Sequence, residues 1–309
     1  MPLPEALPPL LAAIPLLFPL VAAAEGAWLS RHGGYDWRAY WASLGDALGR
    51  GLLNAALQGG LVALAFSAVA QWRIADIAMD RAWHWLLLFL GVEAAYYAMH
   101  RASHRVRWLW LNHAVHHSPR QYALSGAYRL GWTGQFTGAA LAFAPLVWLG
   151  FPVQAVVGLV ALNLVYQFWL HTELVGTLPR WIEWTFNTPA HHRVHHASNA
   201  DYLDCNYGGV LMVFDRCFGT FRRAHDGVPI RYGLVEPVHG YNPVWIALHA
   251  WVRLARDLRS ARGVAQRVRL VLGPPGGVAA PSHGAHAGRV RREGVAAVRT
   301  PRPAPSPRH

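Results

Sequence analysis

Ten of the chain's 18 histidines stand in four short boxes: His100-x-x-x-His104, His113-x-x-His116-His117, the lone His171, and His191-His192-x-x-His195-His196. On a helix, residues three or four apart share a face, so each paired box can aim two or three imidazoles at one point. Neutral imidazole is the commonest protein ligand for metal and suits iron, zinc, copper and nickel. Eight or more such nitrogens exceed the four that one tetrahedral zinc takes, and the number fits two metals. A chance accumulation of histidines at a membrane interface would not repeat this spacing in order. His32, His84, His225, His239, His249, His283, His286 and His309 lack it and are expected at surfaces or interfaces.

The segments that must position these boxes are apolar. Hydrophobic residues make up 53% of the chain and charged residues 14%, mean hydropathy is +0.17, and there are 15 Trp, which points to an integral membrane protein. Five segments, 7–24, 52–70, 83–99, 133–149 and 153–170, approach the ~20 helical residues of a bilayer crossing. The first has no Lys or Arg ahead of its apolar run, so a retained helix is expected there rather than a cleaved signal. Gly150-Phe151-Pro152 is a tight turn between the last two, a hairpin that leaves four or five crossings. The expected fold is all-α: a polytopic membrane bundle of about four to five transmembrane helices carrying a histidine-box cap. Between the second and third spans Arg73 and Arg81 are balanced by Asp76 and Asp80, and the other arginines fall on the side of the boxes. By the positive-inside bias that side is the cytoplasmic face, and the expected location is a bacterial inner membrane.

A net charge of +12 suggests nucleic acid at first, yet residues 259–309 hold ten Arg against Glu293 alone, nine of the twelve charges. That Arg-, Pro-, Gly- and Ala-rich segment cannot bury enough apolar surface to offset its ordering entropy. It is expected as a disordered tail that at most touches anionic lipid heads, and no nucleic-acid partner follows. Cys205 and Cys217 support neither a disulfide framework nor a cysteine-based zinc site.

Polar residues inside the spans point toward the boxes. Glu93, Tyr97, His100 and His104 fall on one helical face, and Asn163, Gln167 and His171 recur in steps of four. An acid or amide in hydrocarbon is costly and faces the bundle interior. Glu93 and Gln167 are therefore expected to orient ligand histidines through their distal ring nitrogens. Asn187 is expected to cap the helix of the last box, and Asp204, Asn206, Asp215 and Arg216 to lock the loop after it. Trp181, Trp184, Trp245 and Trp251 suit an interfacial belt, with 243–255 lying along the membrane surface. No phosphate-binding glycine loop or flavin motif occurs, so electrons must come from a separate donor or a reduced pterin.

The boxes His100-Arg-Ala-Ser-His104, His113-Ala-Val-His116-His117-Ser118 and Asn187-Thr-Pro-Ala-His191-His192-Arg-Val-His195-His196 resemble those of the fatty acid hydroxylase and sterol desaturase superfamily. So does the run from Asn206-Tyr-Gly-Gly to Gly219-Thr-Phe221. Tyr166-Gln-Phe-Trp-Leu-His171-Thr-Glu and Tyr232-Gly-Leu-Val-Glu-Pro are most similar to the alkylglycerol monooxygenase-like branch. The resemblance covers about 83–251; Glu93 stands where the family often has Asp, and Cys205 fills a variable position. It implies a non-haem centre of two iron ions, O2 as oxidant, and a lipid substrate drawn from the bilayer and hydroxylated at a C–H bond, ether-lipid cleavage being one version. It further implies His100, His104, His113, His116, His117, His171, His192, His195 and His196 as ligands, with His191 either a tenth ligand or a hydrogen-bonding neighbour. The domain organisation it suggests is a transmembrane region over 1–82, a di-iron catalytic domain over 83–258, and the tail. Two alternatives stay open: a lipid or sterol desaturase on the same site, and a histidine-lined metal transporter or storage protein.

Overall fold

The computed structural model describes residues 9–57 and 60–276, and all regular structure among them is helical, apart from isolated bridges. The long helices are α1 (Pro9–His32), α2 (Trp37–Ala56), α3 (Gly60–Ala70) and α4 (Ala82–Arg105), followed by the short α5 (Arg107–His116). Then come α6 (Gly134–Thr137), α7 (Ala144–Trp148) and α8 (Val153–Phe168). The described residues close with α9 (Arg180–Thr185), α10 (Pro189–His195), α11 (Val213–Cys217), α12 (Pro243–Ser260) and α13 (Val264–Leu272). Start signals are local: Asp36 accepts from the Arg38 and Ala39 amides, and Asn242 caps α12 ahead of Pro243 in the same way.

The expected row of four to five straight spans is not what the helices form. No single helix among the described residues is long and apolar enough to cross a membrane; α2 and α3 pass together, bent by 52°. The expected span 133–149 is broken, because Gly138 ends α6 in the left-handed region (φ +76°) and Pro145 offers no amide to a continuous ladder. At about 1.5 Å per residue α8 reaches only about 24 Å, short of the ~30 Å hydrocarbon core. The turn expected at 150–152 is present: Gly150 has φ +112°, and a Cβ there would meet the Ala75 carbonyl at 2.3 Å.

Two of the histidine-bearing helices, α4 and α5, owe their positions to packing. On α4, Leu88, Val92, Tyr96, His100 and His104 are buried along one stripe, while Trp83, Leu86, Leu87 and Leu90 stay exposed. Leu88, Val92 and Tyr96 pack with Phe66, Phe143, Leu146, Val147, Phe151 and Val156 from α3, α7, α8 and their turns. On α5, Leu111 and Ala114 bury against Ala250 and Leu254 of α12 and Leu270 of α13, and Val115 against Ala42 of α2 and Ile246 of α12. Its remaining side carries the imidazoles.

The tail expected from residue 259 therefore begins with an ordered helix. Net charge concealed this, because α13 is amphipathic and lays one apolar edge on α5 and α12 while its arginines face out. The rest of that expectation, 277–309, lies outside the described residues. Leu270 is buried in this contact, so Leu270→Ala should lower unfolding stability by about 2–5 kcal/mol. A thermal melt of the purified chain unchanged by that substitution would contradict the packing role of α13.

Candidate metal centre

Nine of the ten box histidines converge into two groups. One holds His100, His104, His113, His117 and His195; the other holds His116, His171, His192 and His196, and within each group the ligand nitrogens lie within 4.8 Å of one another. The boxes are shared between the groups by helical geometry. On α5, His113 and His117 are four apart and point to the first group, while His116, offset around the helix, points to the second. The last box divides the opposite way, with His192 and His196 in the second group and His195 in the first. Both short helices stop at their final histidine: His117 and His196 are the C-caps of α5 and α10.

Backbone carbonyls set the ring orientations. His100 Nδ1 meets the Tyr207 carbonyl at 2.9 Å, His195 Nδ1 that of Cys205 at 2.8 Å, His171 Nδ1 that of Gln167 at 2.9 Å, and His116 Nδ1 that of Arg129 at 3.2 Å. A carbonyl only accepts, so each Nδ1 carries the proton and each neutral ring turns a bare Nε2 lone pair inward. His171 and His116 then oppose two such lone pairs at 3.2 Å, and His195 Nε2 is buried without a hydrogen-bond donor. Lone pairs at this separation repel unless a cation sits among them. Imidazole nitrogens bound to one metal at about 2.0–2.1 Å lie about 3 Å apart, and the Nε2 atoms of His100 and His113 are 3.0 Å apart, those of His113 and His104 3.1 Å. The donor set thus fits two bound metal ions.

Burial keeps these rings neutral. It depresses His116 and His195 to about 3 and His171 to about 4, and the remaining six sit well below the ordinary histidine value for the same reason. His191 stands apart from both groups. Its Nε2 lies 2.8 Å from Glu183 Oε2, which also accepts the Thr188 hydroxyl, so the fourth imidazole of the box anchors α10 to α9. Of the single histidines, His249 is buried within α12 with Nδ1 on the Ile246 carbonyl, while His84 pairs with Asp80.

The residues expected to orient the ligands act at one remove. Glu93 touches no imidazole: its carboxylate accepts from Asn163 Nδ2 at 2.5 Å and from the Val210 and Leu211 amides at 2.9 and 2.8 Å. Gln167 uses its side chain on Tyr96 and Asn163, and only its backbone carbonyl meets His171. Asn187 is not a cap. Thr188 occupies that position, and Asn187 is buried, donating to the Gly208 carbonyl. Asp215 accepts the Tyr207 and Gly208 amides, and Asn206 (φ +56°) bridges the His191 and Arg222 carbonyls, so the loop carrying the Tyr207 carbonyl is held from both ends. Arg216 lies 3.9 Å over the Phe221 ring and donates to Trp184 and Glu183 carbonyls. Single-sequence reading missed the carbonyl acceptors and Glu183, because a backbone oxygen has no residue type and Glu183 has no box spacing.

The fatty acid hydroxylase family model matches residues 85–220, the stretch that holds all nine converging histidines. This region is a fatty acid hydroxylase domain. The chain is 34% identical over 206 residues to the alkylglycerol monooxygenase of Xenopus tropicalis, covering 67% of this chain and 45% of that protein. It is 39% identical over 202 residues to the one from Danio rerio, 65% of this chain and 44% of the other. An ornithine lipid hydroxylase of Rhizobium tropici is 30% identical over 130 residues, 42% of this chain and 39% of that one. These matches place the fatty acid hydroxylase domain with the alkylglycerol monooxygenase-like branch, and the chain spans less than half the length of the curated relatives it matches. No solved structure matches the chain.

Two outcomes follow for this domain. His117→Ala and His192→Ala should each lower bound metal, whereas His191→Gln should retain it, as read by metal analysis of protein expressed without oxygen; loss in all three variants alike would contradict the division. Acid should also destabilise the chain. Each converging ring has a folded value below its unfolded value of about 6.5, so the unfolded chain takes the proton first and stability drains as pH falls below about 6.5. Carboxyls raised by burial, Asp204 and Asp215 among them, pull the other way but are fewer than the nine rings. Denaturant midpoints that stay flat from pH 7.5 to 4.5 would refute this.

Proposed function

We propose that the chain is a membrane-resident di-iron oxidoreductase that uses O2 to hydroxylate a C–H bond of a lipid. The observation that carries this reading is the convergence of nine neutral imidazoles into two adjacent groups whose inward lone pairs call for cations. Two irons, when bound, supply the two-electron chemistry that splits O2 and attacks an unactivated C–H bond. The balance is RH + O2 + 2 electrons + 2 protons to ROH + H2O, so an external electron donor or reduced pterin is required. His100, His104, His113, His117 and His195 would hold one ion, and His116, His171, His192 and His196 the other. The carbonyls of Tyr207, Cys205, Gln167 and Arg129 hold four of these rings in the tautomer that can bind. Glu93, Asn163 and Asp215 hold the loop that supplies the Tyr207 carbonyl, and the buried setting of both groups keeps water from the reacting centre.

Lipid as the substrate class is supported by relatives whose names include alkylglycerol monooxygenase and ornithine lipid hydroxylase. Membrane residence is supported by side chains that a soluble surface would hide: Leu61, Leu64, Leu86, Leu87, Leu90, Val157, Leu162 and Leu164 are all exposed. The cytoplasmic orientation rests on the arginine distribution. Both groups gather in one place rather than along a path, which favours an enzyme over a transporter.

Incubation with an alkylglycerol, an electron donor and isotopically labelled O2 should place one labelled oxygen in the lipid product. His104→Ala and His196→Ala should remove that incorporation entirely and lower iron below the expected two per chain. A product carrying a new double bond and no label would replace hydroxylation by desaturation, and zinc as the resident metal after anaerobic expression would overturn the oxidase reading.

A further inference from the structure

Beside the histidine face of α4 runs a groove of about 570 Å³ that no step above uses. Ala94, Ala98 and Ala102, at four-residue spacing, form its floor, and small side chains there leave a trough. Tyr97 and the rings of Phe214 and Phe218 wall it; Phe218 is 59% exposed and stacks on Tyr97 with centroids 5.3 Å apart. At one end stand Arg101 and Arg105. Arg101 reaches only the Tyr97 hydroxyl, at 3.3 Å, and has no carboxylate within ion-pair distance among the described residues, Asp215 acting on it from farther away. Arg105 is half-exposed and 3.5 Å from Asp204. No histidine lines the groove, so it is separate from the metal centre.

We propose that this groove is a binding site for an anionic membrane phospholipid, one acyl chain lying in the alanine trough and its phosphate on Arg101 and Arg105. Three features fix the occupant. The volume falls in the range of about 300–1,000 Å³ that takes small ligands. The path from Ala94 to Arg105 rises about 16 Å and crosses the cytoplasmic end of the expected span 83–99, the level of a lipid headgroup. Apolar walls ending in a cation without its own carboxylate match a chain ending in a phosphodiester. The site rests on the membrane residence proposed above and not on the oxidation chemistry.

Native mass spectrometry of the full chain in neutral detergent tests it, with phosphatidylglycerol and phosphatidylcholine of identical acyl chains as probes. One phosphatidylglycerol should be retained per chain, at least about fivefold more tightly than phosphatidylcholine. Arg101→Gln should erase that preference. Ala98→Trp, which fills the trough, should abolish retention of both lipids while bound metal and melting temperature stay at the wild-type level. Equal retention of the two lipids by the wild type, or retention indifferent to both variants, would overturn the site. So would a dimer that Ala98→Trp dissociates, since a second copy would then be the occupant. A chain released from membranes by alkaline carbonate would overturn membrane residence itself, whereas a membrane-held chain without lipid preference overturns only the groove.

Discussion

The arrangement depends on a proton being kept off one nitrogen of each converging ring. Where a ring's Nδ1 donates to a main-chain carbonyl, its Nε2 must point inward bare, and burial removes the water that would otherwise satisfy it. Four carbonyls do this directly, from Tyr207, Cys205, Gln167 and Arg129. They come from loops and helix ends far apart in sequence, so fixing the tautomers requires the whole fold. The energetic consequence is a centre whose inward lone pairs repel one another and which bound cations would stabilise.

The polar residues buried among the apolar helices serve that end. Glu93 on α4 ties Asn163 on α8 to the amides of Val210 and Leu211, and Asn163 in turn accepts from Gln167. A buried carboxylate with three donors is satisfied, where an unpaired one would be strongly destabilising. This network joins the two long helices to the loop behind the last box, so the Tyr207 carbonyl cannot move without breaking it. Elsewhere Glu25 on α1 binds the Leu124 amide and the Thr172 hydroxyl next to His171. Asp46 on α2 likewise binds the amides of Leu130 and Gly131, beside the Arg129 carbonyl that orients His116. α1, α2 and α4 thus each contribute one buried acid that pins a loop near a converging histidine.

The exchange of histidines between helices gives the two groups mutual dependence. α5 gives two rings to the first group and one to the second, and α10 does the reverse. The stacked pair His117 and His196, with centroids 4.3 Å apart, lies where the groups adjoin. Displacing either short helix disturbs both groups. Their lengths, ending at His117 and His196, leave little backbone to absorb such a shift.

Sequence alone determined the helical class and which box histidines share a helical face. Box spacing is a property of the 3.6-residue turn, so His100 with His104, or His192 with His196, share a face before any tertiary contact forms. Apolar segments near the length of a helical span likewise implied helices. Tertiary structure decided the rest. Which box histidines share a metal group depends on how α4, α5 and α10 cross, and spacing carries no information about crossing. His191 has the same local pattern as its neighbours, yet Glu183 claims it because α9 packs there. Glu93 and Gln167 lie on the right faces, but hydrogen-bond reach turned Glu93 to the loop amides and the Gln167 side chain to Tyr96 and Asn163. Helix continuity in 133–149 and order in α13 were decided by Gly138, Pro145 and the apolar edge of α13, local effects that averaged hydropathy and net charge erase.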